Sequence, residues 1–380
     1  MDRKDSKDSK DGKGKQREIF LDKLRAAATC AVVLLHTVTG VMDASDMSLF
    51  PLEKKVFLVV MDLVCWSVPV FLLISGYLFL NPERKISFRT MVTKYCRRIL
   101  LALFLFGVPY ACLEQIAAER AFRPEMLLKG FCMVLKGQSW SHMWYLYLIF
   151  FLYLLTPALK LVLRKLPRKA VYLLAGAVFT ASAVLPFVKG LWGAERLPAL
   201  PEEGIYFFYY ICGYLFVSGK NSGEQRREED GTACERGDSG SGRKPGAEGS
   251  VHGWRRKLVP AAACVLAAAM AVSRIAGFSF QMAYNYPFTA ALALLLFAWG
   301  LNARSTEKNT GFWESASALS FGVYLIHPVF LNLYYKFLHV TPLSFPVWAS
   351  LPLFFLGALL PAALGAWVLR KLPFMRRYVL

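Results

Sequence analysis

Two side chains in one apolar stretch set out the chemistry this chain could do. Arg25 and His36 lie in IFLDKLRAAATCAVVLLHTVTGV, residues 19–41. Their spacing is almost three helical turns, so on an α-helix they share one face about 16 Å apart. Asp22, three residues before Arg25, joins that face. The stretch is long enough to cross a bilayer, which takes about 20 apolar residues. A charged group at the centre of such a helix costs at least ~2.5 kcal/mol, so it normally faces the protein interior and serves a function. A guanidinium can hold phosphate through charge-assisted hydrogen bonds, and an imidazole, with an ordinary pKa near ~6.5, suits a general base. The plainer alternative is structural: a buried, hydrogen-bonded His36, Arg25 paired to Asp22, and Lys23 snorkelling to the interface.

The elements that must position these groups are membrane helices. Of 380 residues, 56% are hydrophobic and only 19% charged, and the mean hydropathy is +0.39. Apolar runs of spanning length recur at about 18–40, 56–80, 99–116, 144–163, 170–188, 204–219, 257–273, 286–302, 317–338 and 346–369. The expected fold is therefore all-α, a polytopic bundle of about ten transmembrane helices with both termini on one side. Placing the N-terminus in the cytoplasm puts 33 of the 45 Lys and Arg in inside segments, 9 in outside segments and 3 within spans. That asymmetry sets the orientation, with N and C termini cytoplasmic. It also accounts for the net charge of +19, which in a soluble chain would suggest nucleic acid. A secondary reading of that charge is attraction to anionic lipid or an anionic cytoplasmic ligand.

Residues 1–17, all Asp, Ser, Lys and their like, read as a disordered cytoplasmic tail, too polar for a signal peptide. The membrane domain then runs over 18–371, interrupted by a flexible Gly/Ser/Arg/Glu-rich cytoplasmic loop at 219–254. Residues 372–380 complete it as a second cytoplasmic tail. There are eight cysteines and no CxxC pair, so neither a zinc site nor a disulfide framework is expected, and no metal.

Further polar residues sit where a bundle interior would be. Asp62, at a depth like that of His36, could orient the imidazole by accepting from its ring N–H; equally it could pair elsewhere or face a watery vestibule. His142, in the same outer zone as His36, is a further candidate for catalysis, though it and Trp144 mark an outer boundary, where aromatic residues often only anchor. Tyr324 and His327, three apart near mid-membrane, share a face, and Pro328 frees a carbonyl that needs a partner; a lone His there could also be a satisfied core residue. The segment NPERKISFRTMVTKYCRRIL is rich in Arg and Lys. It is either a positive-inside anchor or a phosphate site built from Lys94, Arg97 and Arg98.

Taken together, LDKLRAAATCAVVLLH, VPVFLLISGYLFL, KYCRRI, HMWYLYLIFFLYLLTP and SFGVYLIHP resemble acyltransferase family 3, in particular its surface polysaccharide O-acyltransferase branch. The blocks follow in the family's order from about residue 17 to 371. The resemblance implies transfer of an acyl group, usually acetyl, from cytoplasmic acyl-coenzyme A, a co-substrate rather than a bound cofactor, to a hydroxyl of an envelope glycan or lipid-linked sugar. It implies a multi-pass protein of the plasma membrane. Arg25 and His36 match the family's functional pair, and Lys94, Arg97 and Arg98 its basic segment, though without a clean Arg-x-x-Arg. Asp22, Tyr324 and His327 would line the substrate cavity. Many relatives carry an extracytoplasmic hydrolase-like domain. Here the largest outer segment is about 27 residues, Ala117 to Met143, so the chain is expected to resemble the stand-alone members. Two other classes fit ten spans with midplane polar groups: a transporter or flippase of a glycan precursor, and a non-catalytic relative. No duplicated halves support the former.

Overall fold

The computed structural model describes residues 19–192, 201–217, 248–278, 283–302 and 310–380. Among these there are helices and no strands. Eight helices are long and apolar enough to cross a membrane: α1 (Ile19–Ala44), α2 (Pro51–Phe79), α3 (Phe88–Glu119), α4 (Ser141–Lys165), α5 (Arg168–Leu191), α7 (Lys257–Ile275), α9 (Thr310–Phe337) and α10 (Val347–Leu369). Two shorter apolar helices, α6 (Gly204–Val217) and α8 (Pro287–Asn302), complete the ten segments expected from hydropathy. The chain is a polytopic helical bundle. A helix keeps every backbone hydrogen bond within its own segment, which hydrocarbon demands.

Helices α1 and α2 are the most enclosed of the long helices and α5 and α7 the least. α1 packs against α2, α8, α9 and α10, so its Arg25–His36 face is turned into protein rather than lipid. The peripheral helices instead expose large apolar side chains, such as Leu173 on α5, Val265 on α7 and Trp348 on α10. In water such a surface would be a liability; against acyl chains it is the expected solution.

Local sequence explains the irregularities. α2 breaks at Cys65 and Trp66, between helical segments Pro51–Val64 and Ser67–Phe79. Pro69 lacks the N–H that would bond the Cys65 carbonyl, and its ring crowds that oxygen. Seven residues on, Gly76 permits α2 to meet α6: a Cβ there would overlap the Tyr210 carbonyl, and one on Gly213 would overlap that of Leu73. Small residues let membrane helices approach this closely. Polar ties then join distant elements. Tyr110 Oη donates to Leu325 O at 2.6 Å, Tyr335 Oη to Thr37 O at 3.0 Å, and Tyr209 Oη to Tyr284 O at 2.6 Å.

Two expectations change, and one outer segment is structured. Residues 248–254, read as flexible loop, lie in a helix that runs Glu248–Ile275; the rest of that loop up to 247, like the tail 1–17, lies outside the described residues. The outer segment 117–143 contains a helix, Glu125–Leu135, packed on α3. Finally, 372–380 is not a free tail. Pro373–Tyr378 is helical, and Val379 and Leu380 are 1% and 7% exposed, because their carbonyls accept from Arg98 Nε at 2.8 Å and Nη2 at 2.6 Å.

Candidate active site

One face of α1 runs through two cavities. The first, of about 490 Å³, is lined by Arg25, Val32, Leu35 and His36, with contributions from α2, α3, α4, α9 and the start of the C-terminal segment. Its mouth carries four guanidinium groups, from Arg25, Arg84, Arg98 and Arg370. It opens on the side of the basic segments 81–98 and 370–380, which the charge asymmetry assigns to the cytoplasm. Beyond the arginines its lining is apolar at Phe71, Ile74 and Ile149 and polar at Ser75, Tyr153 and Ser320, and it reaches His36, His142 and Tyr324. The second cavity, of about 520 Å³, starts from the same two histidines and continues along α1 past Thr39, Gly40 and Asp43. His36 and His142 thus stand in a wall common to both.

A third imidazole, that of His327, packs against these two but, against expectation, lines neither cavity. The ring centroids of His36 and His327 are 5.2 Å apart, those of His142 and His327 5.9 Å, and those of His36 and His142 6.3 Å. They come from α1, α4 and α9. His327 is fully buried and its Nδ1 lies 2.9 Å from the Val323 carbonyl. A carbonyl only accepts, so Nδ1 carries the proton and Nε2 presents a lone pair. That Nε2, like Nε2 of His142, is buried without a hydrogen-bond partner. Buried polar atoms left unsatisfied in a native protein cost about 1–3 kcal/mol each and commonly mark a place where something else binds. Tyr324 holds the group together: its hydroxyl donates to the backbone carbonyl of His142, and its own ring lies 6.4 Å from that of His327. Among the described residues no three His, Cys, Asp or Glu side chains converge as metal ligands do.

The placement of the remaining candidates is mixed. Asp22 does not reach the cavity wall. It is 1% exposed and lies behind Arg25, with Oδ1 3.7 Å from Nη1, where it holds the guanidinium in place. Asp62 is not the orienting carboxylate of His36. Arg274 on α7 binds it in a two-pronged grip, Nε to Oδ2 at 2.7 Å and Nη2 to Oδ1 at 3.0 Å, and with Asp62 fully buried the pair is a structural tie between α2 and α7. Arg98 reaches the cavity; Lys94 and Arg97 do not. Both are exposed, with Lys94 5.5 Å over the Tyr95 ring and Arg97 5.0 Å over that of Tyr378. The wide π-helical turn at Met91–Cys96 takes Lys94 out of α-helical register with Arg98, while Arg97, in the same α-helix as Arg98, points about 100° away from it around the axis.

Arg84 and Arg370 stand at the mouth in their stead. Arg84 sits in a loop clamped from α4, where Lys160 Nζ donates to Asn81 O at 2.6 Å and also to Arg84 O, and Arg164 donates to Pro82 O. Arg370 donates to the Ala318 carbonyl. In the sequence, Arg84 stood out only as one of six basic residues and Arg370 only as a topology charge; no periodicity could pair it with Arg25.

The fold and the two cavities define a membrane-embedded enzyme in which a basic pocket on one side and a polar pocket on the other share a histidine wall. The chain belongs to acyltransferase family 3, whose acyltransferase-domain model matches residues 18–371, nearly the whole sequence. It is therefore an acyltransferase. No curated protein and no solved structure matches it.

Proposed function

We propose that this protein is an O-acyltransferase of the cell (plasma) membrane that moves an acyl group, acetyl by family resemblance, from cytoplasmic acyl-CoA to a hydroxyl of an envelope glycan or lipid-linked sugar. The observation that carries the reading is the shared wall: His36 and His142 border both the arginine-mouthed cavity and the cavity on the opposite side. Acyl-CoA is an anion with several phosphates on a long thioester-bearing arm. Four arginines at the mouth favour its head by charge-assisted hydrogen bonds, and the apolar walls suit the arm. The helical rise from Arg25 to His36, about 16 Å, suits a thioester threaded inward from a phosphate held at the mouth.

The acceptor approaches from the other cavity. Its hydroxyl oxygen attacks the thioester carbonyl carbon while His36 takes the hydroxyl proton. The carbon–sulfur bond breaks as the new ester bond forms, and the proton returns from His36 to the departing thiolate, releasing CoA. His327 and His142 pack around His36 and fix its ring. Enclosure helps, since electrostatic stabilisation is worth more where water is excluded.

The test is the O-acetyl content of surface glycan in a deletion strain complemented with wild type or His36→Ala at matched protein level. Acetylation restored by wild type and not by His36→Ala supports the reading. Unchanged acetylation with altered glycan export would move the assignment to a transporter, and full activity of His36→Ala would remove His36 from the mechanism.

A further inference from the structure

The second cavity carries charge of a different kind from the first, and that difference bears on what it accepts. The described lining of the first cavity holds four arginines and no Asp or Glu side chain. The second is lined by two carboxylates, Asp43 and Glu114, and one ammonium, Lys336. The ammonium is already engaged: Lys336 Nζ lies 2.8 and 3.1 Å from the two Glu114 oxygens. Glu114 Oε2 also accepts from Trp140 Nε1 at 3.1 Å, and the Trp140 ring lies flat on Tyr110, 4.2 Å away at 8°. Glu114 therefore fixes an aromatic wall and pairs the one ammonium among the described lining residues. Asp43 is exposed and two turns beyond His36 on the same face of α1, about 10 Å further out. At the inner end His142, 3% exposed, has an Nε2 without a hydrogen-bond partner.

From this geometry we infer that the second cavity is the acceptor subsite and that it selects an uncharged, hydroxyl-rich sugar ring over one bearing an acid group. The inference rests on the acyl-transfer reading above and sharpens its substrate class. A volume of about 520 Å³ falls in the range, roughly 300–1,000 Å³, of small-molecule sites. A rigid aromatic face with a few amides and hydroxyls (Asn332 and Thr39 among them) fits a polyol that offers one apolar face and many hydroxyls. A uronate or phosphosugar would bring a second negative charge beside Asp43, with Lys336 already paired. Specificity of this kind comes from repulsion of the wrong ligand as much as from attraction of the right one.

The experiment uses the full chain in nanodiscs with acetyl-CoA, and reads thiol release and ester formation on neutral oligosaccharides and on their oxidised, uronate-bearing counterparts. The expected result is a kcat/KM at least about tenfold higher for the neutral acceptors. Asp43→Asn should narrow that ratio severalfold, and Asp43→Lys should reverse the preference, a gain that misfolding cannot produce. Glu114→Gln should raise KM for the acceptor more than KM for acetyl-CoA. Transfer to both acceptor classes alike, or a preference unmoved by Asp43→Lys, overturns this inference and leaves acyl transfer standing. Transfer to neither by wild type overturns the acyl-transfer reading and this inference with it.

Discussion

The two cavities share His36 and His142 yet differ in almost every other respect. One joins apolar and aromatic side chains to a cluster of four arginines, as a site for an anionic, long-armed molecule should. The other is bordered by carboxylates, amides and a buttressed tryptophan, and its single lysine is neutralised by Glu114. Each suits one half of a transfer reaction, and neither suits both. On the proposed reading the membrane is less a barrier than a partition, with His36 and His142 in the wall between two differently charged compartments. Such a wall lets donor and acceptor arrive by separate routes and meet in a fixed orientation, the condition under which proximity contributes most to rate.

This contrast can be broken experimentally, and the largest effect is expected at the shared wall. His36→Ala should lower acyl transfer by about 10²–10⁴-fold, the usual contribution of a general base, measured as thiol release from acetyl-CoA by purified protein. A residual rate near wild type would mean the wall is only structural.

Next comes the tie that lies outside both cavities. Asp62→Ala leaves Arg274 buried without its carboxylate, and breaking such a pair typically costs about 3 kcal/mol or more. Thermal unfolding in detergent should show a clear loss of stability, and the double variant Asp62→Ala with Arg274→Met should recover most of it. Were Asp62 instead the orienting partner of His36, the double variant would regain stability but not turnover.

At the basic mouth, Arg84→Ala and Arg370→Ala should each raise KM for acetyl-CoA by about tenfold, given ~1.5–3 kcal/mol for a hydrogen bond to a charged group, with acceptor KM little moved. Isothermal titration with CoA would show the same loss. The smallest effects are expected at Lys94→Ala and Arg97→Ala, which should stay within about twofold of wild type in the same assay, as solvated surface charges do. An effect there as large as at Arg84 would redraw the mouth.

Legibility followed the range of the interaction. The ten apolar segments were visible because hydrocarbon imposes length and composition on each segment separately. The Arg25–His36 face was visible because helical periodicity is local. His142, Tyr324 and His327 could be named as polar residues in or beside spans, but not as neighbours. Their rings meet only once α1, α4 and α9 are packed. The misplacement of Asp62 has the same origin: equal depth suggested His36, while its partner Arg274 lies 212 residues away in sequence, on a helix that hydropathy could count but not place. Lys94 and Arg97 were overvalued because a basic run looks uniform in sequence, whereas a π-turn and the docking of Val379 and Leu380 decide which of its members face inward.

What the sequence alone determined is therefore the set of helices, their sidedness as read from the Lys and Arg asymmetry, and one polar stripe along α1. These follow from the transfer of each segment from water to lipid, a property of that segment by itself. The tertiary structure alone decided which polar groups share a wall, which arginines guard the mouth and which carboxylates stand on the far side. Those outcomes depend on helix crossings, and a crossing is set by side chains from two distant segments at once, such as Gly76 against the backbone of Tyr210.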